Sequence, residues 1–279
     1  MTALPDLIVD PIVRAALAED LGSAGDVTSL ACIPAGTRMT TVIAARREGR
    51  IAGLDCARLA FQAIGDCRYE ALVPDGEDVV AGAALARIEG EARAILTAER
   101  TALNFVQRLS GVATLTRTYV RAVAHTQAAI TDTRKTTPGL RALEKMAVRF
   151  GGARNHRFGL DDAVLIKDNH VAACGGVGAA VRAARAAVGH LVKVEVEIDR
   201  LDQLEEALAE GPDVLMLDNF SLADMRAAVA ATAGRAVLEA SGGIDLTTVA
   251  AIAETGVDVI SVGALTHSAP ILDVGLDAV

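Results

Sequence analysis

LVKVEVEIDRLDQLEEALAEGPDVLMLD, residues Leu191 to Asp218, decides the fold. It holds a strand candidate (LVKVEVEI), a helix candidate (LDQLEEALAE) and a second strand candidate (DVLMLD). Strands that alternate with single helices predict parallel pairing, with the helices outside the sheet. Within KVEVEI, Lys193, Glu195 and Glu197 alternate with Val194, Val196 and Ile198, so the charges share one face. If helices cover the apolar face, the charged face points inward, where an unpaired charge is costly. The three charges are therefore expected either to form an internal Lys–Glu network or to bind a ligand. Glu195 is expected to serve the scaffold, and Glu197, nearer the strand end, the ligand.

The same alternation extends both ways from this stretch. From about Ala128 the strand candidates are AAITDT, DAVLIK, LVKVEVEI, DVLMLD, AVLEAS and DVISVG. Between or beside them lie the helix candidates LRALEKMAVRF, VGAAVRAARAAV, LDQLEEALAE, LADMRAAVAAT and LTTVAAIAETG. About six parallel strands follow, as an open sheet or a barrel. Before Ser110 the pattern is mixed. RMTTVIAARREGRIAG reads as strand, turn, strand, and LDCARLAFQAI as an amphipathic helix. A long helix is expected over Ala92 to Leu109.

Strand ends are where a barrel keeps its chemistry. Here they carry Arg134 and Lys135, Lys167 and Asp168, Glu195 and Glu197, Asp218 and Asn219, Glu239 and Ser241, then Gly263. Thr131 to Val171 also gathers Arg154, His156, Arg157 and His170 among glycines, against a background net charge of -9. Clustered cations in an acidic chain suggest a small polyanion. Ser241, Gly242 and Gly243 precede a helix candidate and are expected to offer a hydroxyl and N–H groups to phosphate at its N-terminus. Gly263 and Ala264 end the next strand, the second place a barrel phosphate site draws on. Glu197 and Asp218, ending adjacent strands, suit a hydrated Mg²⁺ or a sugar diol.

Composition narrows the classes. The chain has 279 residues, 52% hydrophobic but only 3% aromatic, so Ala, Val and Leu must fill the core. The acidic balance argues against nucleic acid. No apolar run reaches membrane-spanning length, and the N-terminus lacks the basic and apolar regions of a signal peptide. Cys32, Cys56, Cys67 and Cys174 have no metal or disulfide spacing. A cytoplasmic protein with no membrane or nucleic-acid partner is expected.

The chain resembles the quinolinate phosphoribosyltransferase family nearly end to end. The resemblance is carried by EDLGSAGDVTS, REGRIAG, ERTALNFVQRLSGVAT, DTRKTTPGLRALEKMAVRFGGARNHRFGL, VLIKDNHV, VEVEI, LDNFS, LEASGGI and ISVGALTHSAP. It implies an N-terminal α/β sandwich domain (1–110) and an incomplete (β/α) barrel (111–266), with the tail 267–279 packing back on the first domain. It also implies transfer of phosphoribose from phosphoribosyl pyrophosphate to quinolinate, with Mg²⁺, giving nicotinate mononucleotide, pyrophosphate and CO₂. Arg134, His156 and Arg157 would face the substrate carboxylates, and Arg100 would reach in from the partner in a homodimer, with a hexamer left open. Lys135 and Lys167 would contact substrate and donor. Glu197 and Asp218 would serve the ribose hydroxyls and Mg²⁺–pyrophosphate, and Lys135, Glu197 and Asp218 form the catalytic set. Ser241, Gly242, Gly243, Gly263 and Ala264 would cradle the 5′-phosphate. A related transferase with another acceptor and a silent anion-binding barrel are the alternatives.

Overall fold

A computed structural model describes residues 3–279. In chain order the elements begin with helices α1 (Asp6–Leu21) and α2 (Val27–Cys32), strands β1 (Arg38–Ala45) and β2 (Gly49–Arg50), and helix α3 (Leu54–Ile64). Strands β3 (Arg68–Ala71), β4 (Asp78–Val79) and β5 (Ala84–Glu91) lead into the long helix α4 (Ala92–Ala122). Then come β6 (Ala129–Thr131), α5 (Arg141–Phe150), β7 (Val164–Ile166), α6 (Asp168–Cys174), α7 (Val177–Ala187) and β8 (Val194–Ile198). The chain continues with α8 (Leu204–Ala209), β9 (Val214–Asp218), α9 (Leu222–Thr232), β10 (Val237–Ser241), α10 (Val249–Ala253) and β11 (Val259–Ser261). It closes with α11 (Ala264–His267) and β12 (Val274–Ala278).

Two compact units form. One comprises 1–117, 136–152 and 265–279, the other 118–135 and 153–264. The first unit is built on an antiparallel sheet in the order β12-β1-β5-β3, with α1 and α3 packed together and α3 against β3. Thr41, Ile43 and Ala45 of β1 and Ala86, Ile88 and Gly90 of β5 alternate as buried positions, as expected of a sheet with one covered face. Helix α3 is preceded by Gly53, whose φ of 98° turns the chain. Its first N–H groups are capped by a distant side chain: Asp75 accepts from Gly53 N at 3.0 Å and Leu54 N at 3.2 Å.

The second unit holds the six expected strands, all parallel, in the order β6-β11-β10-β9-β8-β7 among the described residues. Strands β6 and β7 do not pair, so the barrel is incomplete there. The segment after Ala153 lies beside β6 through one bridge, Thr131 to Arg154. Apolar positions such as Val194, Val196, Leu215, Leu217, Leu238 and Ile260 are buried, as expected of parallel strands covered on both faces.

Two sequence expectations change. Helix α4 does not stop near Leu109 but runs unbroken to Ala122. Lys193 lies before β8 rather than on its inner face, exposed and paired with Asp213 at 2.7 Å. No Lys193–Glu195 network forms. No described helix is long and apolar enough to cross a membrane.

Candidate active site

Strand register sets the levels of the barrel interior. Glu197 pairs with Met216, and Met216 with Glu239, so these three side chains share the inward face. Two residues further on, Asp218 pairs with Ser241 at the C-terminal mouth. Glu195 points inward one level deeper than Glu197.

The segment 155–157 is placed by a buried carboxylate that the sequence reading did not single out. Asp132, fully buried just after β6, accepts from Asn155 Nδ2 at 2.6 Å and from His156 N at 2.9 Å. That fixes His156 over two buried glutamates. His156 Nε2 lies 3.1 Å from Glu195 Oε2 and 3.5 Å from Glu239 Oε1. On the other side of the ring, Nδ1 accepts the Arg157 N–H at 2.8 Å. A ring nitrogen that accepts cannot carry a proton, so Nε2 carries it and donates to Glu195.

These atoms of His156, Glu195 and Glu239 lie within 4.8 Å of one another, a grouping that could hold a metal ion. The tautomer opposes this, because a metal on Nε2 would need the proton on Nδ1. Burial and the Glu195 charge push the Glu239 carboxyl up to about 7, with His156 acting the other way. A proton on Glu239, favoured by burial and by the Glu195 charge, relieves the repulsion of two carboxylates this close. His156 was expected to face substrate. In the structure its Nε2 meets Glu195 and its Nδ1 accepts the Arg157 N–H.

Arg157 and Arg134 are the cations of this wall. The Arg157 guanidinium is held below its usual range, first by burial and then by the charge of Arg134. Its Nη1 donates to Ala163 O at 3.1 Å, while Nε of Arg157 and Nε of Arg134 are buried without hydrogen-bond partners. Two guanidiniums that repel each other and keep idle donors have the chemistry that suits an anion. Lys135 is exposed just beyond Arg134. Lys167 directly follows β7, and its Nζ pairs with Glu197 Oε2 at 2.6 Å. His170 accepts from Lys167 N at 2.9 Å, so it secures that corner.

At the opposite wall, Gly242 and Gly243 follow β10 with φ of 94° and 60°, a left-handed pair open to few residues but glycine. Gly263 and Ala264 follow the adjacent strand β11. The expected phosphate site at a helix N-terminus needs correction. Asp245 takes the Thr247 and Thr248 N–H groups at 2.8 and 3.1 Å, and α10 begins only at Val249. Those two N–H groups are therefore already taken by a carboxylate, and the glycine turn lies before them. A cavity of about 600 Å³ borders this turn, lined by Asn219, Ser221, Gly242, Gly243 and Thr248 among others. Arg100 belongs to the other unit, exposed on α4.

The family model of the quinolinate phosphoribosyl transferase N-terminal domain matches residues 26–110, and that of the C-terminal domain residues 112–277. A Mycobacterium leprae protein named nicotinate-nucleotide pyrophosphorylase [carboxylating] is 51% identical over 95% of both chains. A Bacillus subtilis protein named as a probable enzyme of the same kind is 46% identical over 93% of this chain and 89% of its own. The solved structure of the Francisella tularensis nicotinate-nucleotide pyrophosphorylase superposes with a TM-score of 0.95 at 41% identity, covering 99% of this chain and 98% of that one.

Proposed function

The chain belongs to the quinolinate phosphoribosyltransferase family, and from that premise we propose how its residues divide the reaction. It transfers phosphoribose from phosphoribosyl pyrophosphate to quinolinate, releasing pyrophosphate and CO₂ and forming nicotinate mononucleotide for NAD synthesis. The observation that carries the assignment of residues is the Arg134–Arg157 pair, two cations held together with idle buried donors. A pyridine dicarboxylate supplies the two negative charges that this pair lacks.

Arg134 and Arg157 hold the quinolinate carboxylates, and His156 fixes Arg157 from behind. Arg100 of a second copy completes that pocket in a homodimer. Lys135 and Lys167 meet the substrate and the donor phosphates. The turn at Ser241, Gly242 and Gly243 and the neighbouring Gly263 and Ala264 take the 5′-phosphate. The pyridine nitrogen forms its bond to the anomeric carbon as the bond to pyrophosphate breaks, so positive charge grows on the ribose. Glu197 and Asp218 face that charge and the ribose hydroxyls. Ribosylation makes the ring cationic, and the electron pair left by the departing carboxylate flows into it. No covalent intermediate on the protein is required; positioning carries the rate.

Carboxylate oxygens on adjacent strands are the donor set that Mg²⁺ favours, and Glu197 and Asp218 would hold it, through water where it stays hydrated. When bound, Mg²⁺ neutralises pyrophosphate charge. The four unpaired cysteines support a reducing compartment, the cytoplasm.

The test is turnover of quinolinate with phosphoribosyl pyrophosphate and Mg²⁺, following CO₂ and nicotinate mononucleotide together, with nicotinate as parallel acceptor. Coupled products from quinolinate alone are expected. Quinolinate at about 100 times its Kd should also stabilise the protein by about 2.7 kcal/mol, and Arg157→Ala should abolish that shift. Equal turnover of nicotinate would move the assignment to another acceptor.

A further inference from the structure

Asn219 has one of the two positive φ angles of non-glycine residues among the described residues, at 57°. It sits directly after β9, and its side chain works in two directions. Nδ2 donates to Asp218 Oδ2 at 2.7 Å. Oδ1 lies so close to Gly242 that a Cβ there would sit 2.2 Å from it. The Asn219 N–H also donates to Ser241 O at 2.9 Å. A left-handed backbone is needed to aim one short amide at both neighbours. We propose that Asn219 is a positioning residue that locks the Asp218 carboxylate to the Gly242–Gly243 turn, so that both ends of the bound phosphoribosyl donor are set as one unit. The inference rests on the donor site assigned above.

Asn219→Gly and Asn219→Asp test it, because both residues tolerate the left-handed backbone. A residue kept only for its turn would be replaceable by either. As a positioning residue, its loss in Asn219→Gly raises the KM for phosphoribosyl pyrophosphate roughly tenfold, the scale of one charge-assisted hydrogen bond. Asn219→Asp raises it further, since a second carboxylate then faces Asp218. The KM for quinolinate stays within about twofold in both, because Arg134 and Arg157 are untouched. The Tm of Asn219→Gly, measured without magnesium or substrate, does not fall. Unchanged donor KM in both variants overturns the proposal, as does a parallel rise of both KM values with a lowered Tm. A wild-type protein without donor-dependent turnover sinks the parent reading and this one together; an active wild type indifferent to Asn219 sinks this one alone.

Discussion

Glu239 is 4% exposed on the inner face of β10, with Glu195 and the His156 ring against it. Asp132 adds to the rise of its pKa and the Ser261 hydroxyl opposes it. The folded value, about 7, stands above the ordinary 4.5, so the folded state holds this proton more tightly than the unfolded chain does. The stability this contributes is complete below about pH 4.5 and is lost as pH rises through about 7. Glu239→Gln keeps the shape and removes the titration. The variant should show a flatter stability profile between roughly pH 5 and 8. At about pH 8 it should exceed the wild type by on the order of 1–3 kcal/mol. Urea midpoints at both ends of that range decide it; an equally steep variant would place the titration elsewhere. Much of this scale was readable beforehand. Period-two alternation marked Glu195 and Glu197 as inward. It could not say which end of the strand Lys193 occupied, nor that Asp132 would hold His156 from 24 residues away.

Elements were most legible where burial leaves a periodic trace. All six barrel strands lie within the apolar runs proposed for them, and α3 spans the eleven residues read as amphipathic. Its cap was not legible, since Asp75 reaches it from more than 20 residues away. Helix α4 shows a different failure. Gly111, just past the expected end, is buried inside the helix, and a Cβ there would lie 2.0 Å from Pro270 O. The glycine admits the backbone that follows α11, which Leu272 N fastens to Gln107 O at 3.0 Å. Gly151 does the same at α5, where a Cβ would lie 2.4 Å from Thr116 Cβ. In an exposed helix, Gly→Ala stabilises by up to about 1 kcal/mol. Gly111→Ala is expected to reverse that sign and cost roughly 3 kcal/mol, because the obstructing atom is backbone and cannot rotate away. A thermal midpoint at or above the wild-type value would show that the crossing segment yields.

The two ends of the chain meet in the first unit's sheet through a pairing for which no local signal exists. VGLDA, at β12, lacks the alternation of a strand, yet it forms the edge of the first unit's sheet. Thr41 pairs with Ala278 and Ala45 with Val274, and Arg46 meets Asp277 at 2.6 Å. The two strands are more than 200 residues apart, so β1 waits for almost the entire chain before it gains this neighbour. Closing so long a loop costs on the order of 5 kcal/mol in chain entropy, which the β1 ladder and the burial of Val274 must exceed. Removing residues 274–279 should leave β1 as a bare edge with its N–H and C=O groups unpaired, a template for association between chains. The truncated protein is expected to aggregate on warming and to be cut first within residues 38–91 by a dilute protease. A synthetic peptide of residues 270–279, added in excess, should restore the protease pattern, because it replaces an intramolecular strand with an intermolecular one of the same register. If truncation leaves the cleavage pattern and melting unchanged, the sheet is held by β5 and β3 alone, and the long-range pairing is incidental to the fold.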